Sequence, residues 1–214
     1  MEYTEGVRFD SLGLSPEIMR AIEQRHIEVS TPVQAGCIPP MMDWQDVIAK
    51  APTGTGKTFA YGIPIVEHID PEDESVQAVI LAPTRELAIQ ITGELRDIAA
   101  FKPGVRSVCL YGGQPIGKQI DTLKKRPQIV VATPGRLSDH MKRRTVRVDT
   151  ARTVVLDEAD RMLDMGFIHD VRKILKWLPV KKQTLFFSAT MPPEITDLVN
   201  SLLKNPARVA VDPI

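Results

Sequence analysis

An eight-residue run of mostly small residues constrains the fold of this chain more than any other feature. The run, Ala51-Pro52-Thr53-Gly54-Thr55-Gly56-Lys57-Thr58, lies between an apolar strand pattern at 47–49 and a helical pattern at 59–68. In that setting the glycines let the backbone curl so that several N–H groups face a phosphate group. Lys57 would reach the β- and γ-phosphate oxygens, and Thr58 would offer its hydroxyl to Mg²⁺. The run predicts a nucleotide-binding α/β domain, although a glycine-rich turn alone can be an ordinary loop before a helix.

An acidic motif follows 100 residues later (157 − 57), after the apolar strand pattern Thr153–Leu156. A buried strand would place Asp157 at the carboxyl edge of a sheet, beside the metal, and Glu158 where an attacking water would lie. Taken alone, the tetrad Asp157-Glu158-Ala159-Asp160 is more often the solvated first turn of a helix, because carboxylates favour helix N-termini. The two motifs in this order indicate an ATP-driven protein in which Glu158, Lys57 and Asp157 are the catalytic residues.

Composition is that of an ordinary globular domain. The 214 residues are 43% hydrophobic and 25% charged, with 27 basic and 27 acidic side chains. A formal net charge of zero argues against bulk electrostatic binding of nucleic acid, so such contacts would need a few well-placed groups. The two cysteines and four histidines are too scattered for a metal site of their own. Without an 18-residue apolar run or a signal pattern, we expect a soluble, cytoplasmic monomer with no membrane contact.

Strand and helix patterns alternate along the chain, which is typical of right-handed crossover units around a parallel sheet. The predicted strands are Val47–Ala49, Ala78–Ala82, Ser107–Tyr111, Ile129–Ala132, Thr153–Leu156, Thr184–Ser188 and Arg208–Val211. The predicted helices are Phe59–His68, Arg85–Phe101, Ile116–Lys125, Gly135–Arg143, Phe167–Trp177 and Glu194–Leu203. Two further helices should open at Ser15-Pro16 and Thr31-Pro32. We therefore predict an N-terminal helical segment over residues 1–40 and a core domain over residues 41–214.

Several motifs in one register resemble the DEAD-box ATP-dependent RNA helicases. The tetrad 157–160 spells the name of that family, and other motifs of its first domain occur as well. They are Pro83-Thr84-Arg85-Glu86-Leu87-Ala88, Gly112-Gly113, Thr133-Pro134-Gly135-Arg136, Met165-Gly166-Phe167 and Ser188-Ala189-Thr190. The resemblance covers nearly the whole chain. It implies a RecA-like P-loop domain, with a mostly parallel central sheet flanked by helices, that binds ATP and Mg²⁺.

The resemblance implies that the N-terminal segment reads adenine. The Gln34 amide can accept from the adenine N6 amino group and donate to N7, a pairing that guanine breaks, and Phe9 would stack on the base. The alternative is that Gln34 caps a turn and Phe9 is a core residue. His26 and Ser30 stand where the family usually has glycine and proline. The implied ATP-binding residues are Phe9, Gln34, Thr53, Gly54, Thr55, Gly56, Lys57 and Thr58, with Thr58 and Asp157 also at the metal.

The same resemblance implies a surface that binds the RNA backbone without reading its sequence. Hydroxyls and helix N-terminal amides after two strands can hold phosphates, although Thr-Pro-Gly-Arg is also an ordinary helix start. The implied RNA-binding residues are Pro83, Thr84, Arg85, Gly113, Thr133, Pro134, Gly135 and Arg136. Ser188 and Thr190 would bond Asp160 and couple nucleotide state to RNA, or they merely cap the turn after a strand.

Members of this family carry a second RecA-like domain that supplies arginine fingers and further RNA contacts. No His-Arg-x-Gly-Arg-x-x-Arg pattern follows residue 190, so we expect the chain to be the first domain of a longer helicase. In the complete protein, ATP hydrolysis would be coupled to unwinding or remodelling of RNA. An ATP-gated RNA clamp is the alternative from another class. A small-molecule kinase is disfavoured because Thr84-Arg85 and Thr133-Pro134-Gly135-Arg136 would have no role in it.

Overall fold

Seven short strands form one sheet in the computed structural model, which describes residues 5–52, 54 and 56–211. They are β1 (Val47–Lys50), β2 (Ala78–Leu81), β3 (Ser107–Leu110), β4 (Ile129–Ala132), β5 (Thr153–Leu156), β6 (Gln183–Ser188) and β7 (Ala207–Ala210). Their order across the sheet is β3-β4-β2-β5-β6-β1-β7. Every pairing among these strands is parallel. The predicted α/β fold with a mostly parallel sheet is confirmed.

Helices connect the strands and cover both faces of the sheet. Within the described residues they are α1 (Pro16–Glu23), α2 (Pro32–Met42), α3 (Lys57–His68), α4 (Arg85–Ile98), α5 (Ile116–Leu123), α6 (Pro134–Lys142), α7 (Ala159–Asp164), α8 (Ile168–Trp177) and α9 (Pro193–Leu202). A 3-10 helix at Phe9–Ser11 precedes them. No helix in this described part of the chain is long and apolar enough to cross a membrane.

The strands are apolar on both faces because both faces are buried, as is usual for parallel sheets. In β1, Val47 and Ala49 pack in a cluster with α2, α3 and α4. Ile48, which points to the opposite face, packs in a second cluster with α6, α8 and α9. Alternate residues of one strand thus join different cores, as the two-residue repeat of a β-strand requires. Together the two cores hold the carboxyl ends of the strands at one edge, where the predicted motifs lie.

Helix starts follow the local signals in the sequence. The Ser15 side chain accepts the N–H of Ile18, and the Thr84 side chain accepts the N–H of Leu87. Proline occupies the first turn of α1, α2, α6 and α9, where its missing N–H costs little. These local signals explain why the starts of α1, α2 and α4 agree with the prediction and why those of α6 and α9 lie within one residue of it.

The prediction differs from the structure most clearly at α7 and at the end of α4. The six-residue helix α7 was not predicted, because the acidic tetrad that precedes it was assigned to chemistry rather than to a helix start. Helix α4 ends at Ile98 rather than at Phe101. After it, the side-chain ammonium of Lys102 donates to the carbonyls of Val66, Glu67 and Ile69 around the end of α3. These bonds hold the segment 99–102 away from the axis of α4.

The two departures from the family pattern lie where the N-terminal segment bends. His26 has φ 57°, a left-handed conformation in which glycine is favoured. Ser30 donates its N–H to the carbonyl of Val7 at 2.7 Å, a bond that proline cannot make. Its hydroxyl also donates to that carbonyl and accepts the N–H of Val7.

The boundary between the predicted regions 1–40 and 41–214 falls inside α2 and stays a prediction.

Candidate nucleotide site and adjoining cleft

Two glycines shape the start of α3, where the phosphate loop was predicted. Gly54 and Gly56 have φ 87° and φ 80°, which side chains with a Cβ rarely adopt. A Cβ on Gly56 would also lie 2.6 Å from the amide nitrogen of Gln34. The N-terminus of α3 can bind anions because its first N–H groups have no partner within the helix. Thr53 and Thr55 lie outside the described residues, so their contacts stay predictions.

Lys57 and Asp157 form a buried ion pair at the carboxyl edge of the sheet. Lys57 opens α3 and is 9% exposed, whereas Asp157 follows β5 and is 1% exposed. The Nζ atom of Lys57 lies 3.4 Å from Oδ1 of Asp157. Since burying a charge costs several kcal/mol, each group needs a close partner of opposite sign. The structure thus brings together two residues that the sequence assigned to the phosphates and the metal.

The second oxygen of Asp157 is held by a residue that the sequence analysis missed. Tyr61, on α3, donates its hydroxyl to Oδ2 of Asp157 at 2.7 Å. Burial raises the pKa of the Tyr61 phenol well above its ordinary value, and the Asp157 charge raises it further. The hydroxyl therefore stays protonated and acts as a donor. Its position one helical turn after Lys57 could have indicated that Tyr61 lies near the site. No local sequence pattern could have identified Asp157 as its partner.

Asp157 fits the predicted role at a metal. Its Oδ1 is a buried side-chain atom with no hydrogen-bond partner among residues 5–52, 54 and 56–211. A buried oxygen normally accepts a hydrogen bond or binds a ligand, because the lack of both costs about 1–3 kcal/mol. Mg²⁺ takes oxygen ligands and is usually held by one or two carboxylates together with substrate phosphates. Thr58, the second residue of α3, lies in the same helical turn as Lys57.

Glu158 has a strained backbone. Its φ and ψ are both 52°, a left-handed conformation that costs a residue with a side chain about 1–2 kcal/mol. The side chain is 12% exposed, and its Oε2 lies 3.3 Å from Nη1 of Arg161 on α7. Strain of this kind is retained mainly at functional sites. The bend directs the chain from β5 into α7 immediately beside Asp157.

The Gln34 amide links the N-terminal segment to the phosphate loop. Its Oε1 accepts the N–H of Thr31 at 2.9 Å, while the Thr31 hydroxyl accepts the N–H of Gln34. Its Nε2 donates to the carbonyl of Gly56 at 3.2 Å. Gln34 therefore does cap the start of α2, as the alternative interpretation held. One N–H and one lone pair of the amide remain for a base, so adenine recognition stays a prediction that these contacts permit.

Phe9 lies in the hydrophobic core rather than at an open surface. Its side chain is 1% exposed and belongs to the same cluster as α2 and α3. This arrangement matches the alternative interpretation of Phe9 as a core residue. Stacking of Phe9 on adenine stays a prediction.

A closed set of hydrogen bonds joins Asp160, the last residue of the acidic motif, to the end of β6. The N–H of Asp160 donates to Oγ of Ser188, whose hydroxyl donates to the carbonyl of Thr190. The N–H and hydroxyl of Thr190 both donate to Oδ2 of Asp160, at 3.0 and 2.8 Å. Burial by itself would raise the pKa of Asp160, but these hydrogen bonds lower it overall. The expected contacts therefore exist, whereas their role in coupling stays a prediction.

Most of the predicted RNA-binding residues line one surface cleft. Strands β2 and β4 are neighbours, so the loops that follow them meet at the same edge of the sheet. The cleft has a volume of about 520 Å³ and is lined by Pro83, Thr84, Arg85, Glu86, Gly112, Thr133, Gly135, Arg136, Asp139, Met165 and Phe167. Pro134 is buried in the first turn of α6 and does not line it. Gly113 lies beside the cleft, with φ 92° and Arg85 as its neighbour.

Two arginines of the cleft are held by residues that the sequence analysis did not identify. The guanidinium of Arg85 lies 5.0 Å from the centre of the Tyr111 ring. Arg136 donates to the carbonyl of Gln114 at 2.8 Å and to Oε1 of Gln119 at 3.2 Å. Fixed side chains of this kind lose less entropy when they bind a phosphate.

Buried His140 completes the support beneath Arg136. Its Nε2 lies 2.8 Å from Oε1 of Gln119, and its Nδ1 lies 2.7 Å from the hydroxyl of Thr145. Burial lowers the pKa of His140, and the positive charge of Arg136 lowers it further. A neutral imidazole at this position avoids a second positive charge below the arginine.

Comparison with known proteins matches most of this chain to one family. Residues 31–198 match the family model for DEAD/DEAH box helicases. The DEAD-box ATP-dependent RNA helicase CshA of Geobacillus kaustophilus is 52% identical over 203 residues, which cover 95% of this chain and 43% of that protein. CshA of Bacillus subtilis is 50% identical over 205 residues, covering 96% and 41%. The chain therefore spans about two-fifths of the length of these relatives.

A solved structure has the same fold. A crystal structure of a DEAD box protein from the hyperthermophile Methanococcus jannaschii superimposes with a TM-score of 0.91 and 39% sequence identity. The match covers 99% of this chain and 57% of that one.

Proposed function

Because the chain belongs to the DEAD/DEAH box helicase family, we propose that it is the ATP-binding N-terminal RecA-like domain of an RNA helicase. The single observation that best supports an ATPase site is the buried Oδ1 of Asp157, which lies 3.4 Å from Nζ of Lys57 and has no hydrogen-bond partner within the described part of the chain. A cation-binding carboxylate, a phosphate-binding lysine and a helix N-terminus together suit a metal-bound nucleotide.

In this proposal each residue of the site has a separate task. Lys57 and the N–H groups of α3 bind the β- and γ-phosphates, and Thr58 and Asp157 hold Mg²⁺. When bound, the cation would neutralise the charge that develops on the transferred phosphoryl group. Glu158 orients the attacking water and takes up its proton. Gln34 selects adenine, and Phe9 stacks on the base.

The surface cleft binds the backbone of single-stranded RNA. The loops at 83–85 and 133–136 present hydroxyls, arginines and the N-termini of α4 and α6, all of which suit phosphates. These groups face no base edge in particular, so the binding is independent of sequence. The hydrogen-bonded set Asp160, Ser188 and Thr190 lies between the acidic loop and the end of β6, and couples nucleotide state to the RNA surface.

The complete enzyme requires a second RecA-like domain in the parent protein. That domain supplies arginine fingers to the ATP and the remaining RNA contacts, and the complete protein is a cytoplasmic monomer that unwinds or remodels RNA. An arginine finger is typically worth about 10³–10⁵ in rate, so the present chain alone should be nearly inactive.

Phosphate release from the 214-residue chain, measured with and without single-stranded RNA, tests this proposal. We expect binding of adenine nucleotide, turnover barely above background, and little response to RNA. Joining the chain to the second domain of its parent protein should restore RNA-stimulated turnover. Strong RNA-stimulated hydrolysis by the chain alone would show that its catalytic set is already complete. Binding without stimulated turnover by the joined protein would instead indicate an ATP-gated clamp.

A further inference from the structure

Tyr61 contacts the predicted metal-binding carboxylate from inside the protein. The tyrosine is fully buried, and its ring meets the ring of Phe187 edge-on, with 5.2 Å between their centres. Its hydroxyl is a donor to Oδ2 of Asp157 at 2.7 Å. Since the other oxygen, Oδ1, is the one that lies 3.4 Å from Lys57, the two carboxylate oxygens have distinct surroundings.

We propose that Tyr61 is a positioning residue that fixes the Asp157 carboxylate so that Oδ1 faces Mg²⁺ and the phosphates. This inference rests on the proposed function, because it requires Asp157 to bind the cation of a metal-bound nucleotide. Tyr61 acts through Asp157 rather than by contact with the cation or the nucleotide, and its hydroxyl also shares a hydrogen bond with the side chain of Thr58.

One rigid element would then carry three parts of the site. Lys57, Thr58 and Tyr61 all belong to α3, and Lys57 and Tyr61 are four residues apart, on the same face of the helix. A phenol held by the Phe187 ring has little freedom to move, so its hydrogen bond restricts rotation of the carboxylate about the Cβ–Cγ bond. Groups that orient a metal ligand through hydrogen bonds typically change metal affinity by about 10-fold to 100-fold when they are removed.

A purely structural tyrosine would give a different result. If the hydroxyl only satisfied a buried oxygen, its loss would destabilise the domain and leave the effect of Mg²⁺ on nucleotide binding unchanged. The ratio of ADP affinities with and without Mg²⁺ therefore separates the two roles, and it does not depend on catalytic turnover.

Calorimetry of ADP binding to the 214-residue chain, in excess Mg²⁺ and in a chelator of divalent cations, measures this ratio. Tyr61→Phe keeps the ring and removes only the hydroxyl. We expect it to reduce the gain in affinity from Mg²⁺ by about 10-fold or more, with metal-free ADP binding changed by less than about 2-fold.

Thr153→Val is the matched control. This variant also removes a buried hydroxyl, which donates to Oε1 of Gln183 at 3.1 Å. Thr153 begins β5, whereas Asp157 follows the other end of that strand. This variant should lower the thermal midpoint and leave the Mg²⁺ ratio at the parent value. Thermal melts of every variant establish that it is folded before the ratios are compared.

Asp157→Asn distinguishes failure of this inference from failure of the proposed function. If Asp157→Asn leaves the Mg²⁺ ratio intact, Asp157 does not hold the cation and both ideas fail. If Asp157→Asn abolishes the gain but Tyr61→Phe keeps it or enlarges it, only the positioning role of Tyr61 is wrong. If both single variants reduce the gain in ADP affinity from Mg²⁺, adding Tyr61→Phe to Asp157→Asn should reduce that gain no further. An added loss there would overturn the inference.

Discussion

Gln34→Ala should abolish the preference of this domain for adenine over guanine nucleotides and cost about 1–3 kcal/mol of folding stability. The Gln34 amide already uses one acceptor site for the N–H of Thr31 and one donor for the carbonyl of Gly56. A primary amide has two of each, so one donor and one acceptor remain. The remaining donor can bind N7 of adenine, and the remaining acceptor can bind its N6 amino group.

The size of the effect follows from that pairing. A good bidentate contact to a base is worth about 1–3 kcal/mol of discrimination. The parent chain should therefore bind ADP about 5-fold to 150-fold more tightly than GDP. In Gln34→Ala the two affinities should become equal. The accompanying loss of stability comes from two hydrogen bonds of the Gln34 amide, one with the N–H of Thr31 and one with the carbonyl of Gly56, while the Thr31 hydroxyl still accepts the N–H of residue 34.

Calorimetry with ADP and GDP measures the preference, and a urea titration measures the stability. Thr31→Val is the matched control, because it removes the other half of the same capping box and leaves the Gln34 amide in place. It should lose about 1 kcal/mol of stability and keep the preference for ADP.

Two results would refute the reasoning. Equal affinities of the parent chain for ADP and GDP would show that the remaining donor and acceptor of Gln34 do not meet the base. Loss of the preference in Thr31→Val as well as in Gln34→Ala would show that the shape of the α2 start, rather than the amide, selects the nucleotide.

Two further predictions concern the acidic motif and the N-terminal segment. In the full-length protein, Glu158→Gln keeps the shape of the side chain and removes the base, so ATP and RNA should still bind while hydrolysis collapses; Lys57→Ala should instead weaken nucleotide binding itself. Phosphate release and nucleotide titrations check both, and hydrolysis at the parent rate in Glu158→Gln would exclude Glu158 as the base. His26→Gly should raise the free energy of unfolding by up to about 1.6 kcal/mol, because relief of about 1–2 kcal/mol of left-handed strain offsets or exceeds the roughly 0.4–1 kcal/mol of added unfolded-state entropy. A urea titration measures this change, and a lower midpoint would show that the His26 side chain makes a compensating contact.

Local patterns in the sequence determined the elements of the fold and the positions of the motifs. The strands β4 and β5 have the predicted bounds, because an apolar run between turn residues needs no information from elsewhere in the chain. The start of α2 was predicted from Thr31-Pro32, since a capping residue and proline act on the adjacent turn. The order of the motifs was enough to indicate the family, which the comparisons show.

Contacts between distant residues were decided only by the tertiary structure. The hydrogen bond from Tyr61 to Asp157 joins residues 96 positions apart, and no periodicity connects them. The burial of Phe9 and the second bond of Gln34 to Gly56 likewise depend on how the N-terminal segment packs against α3. The cleft exists because β2 lies beside β4, and strand order reflects the packing of whole layers of the fold. Sequence patterns specify which groups a chain carries, whereas long-range burial decides which of those groups meet.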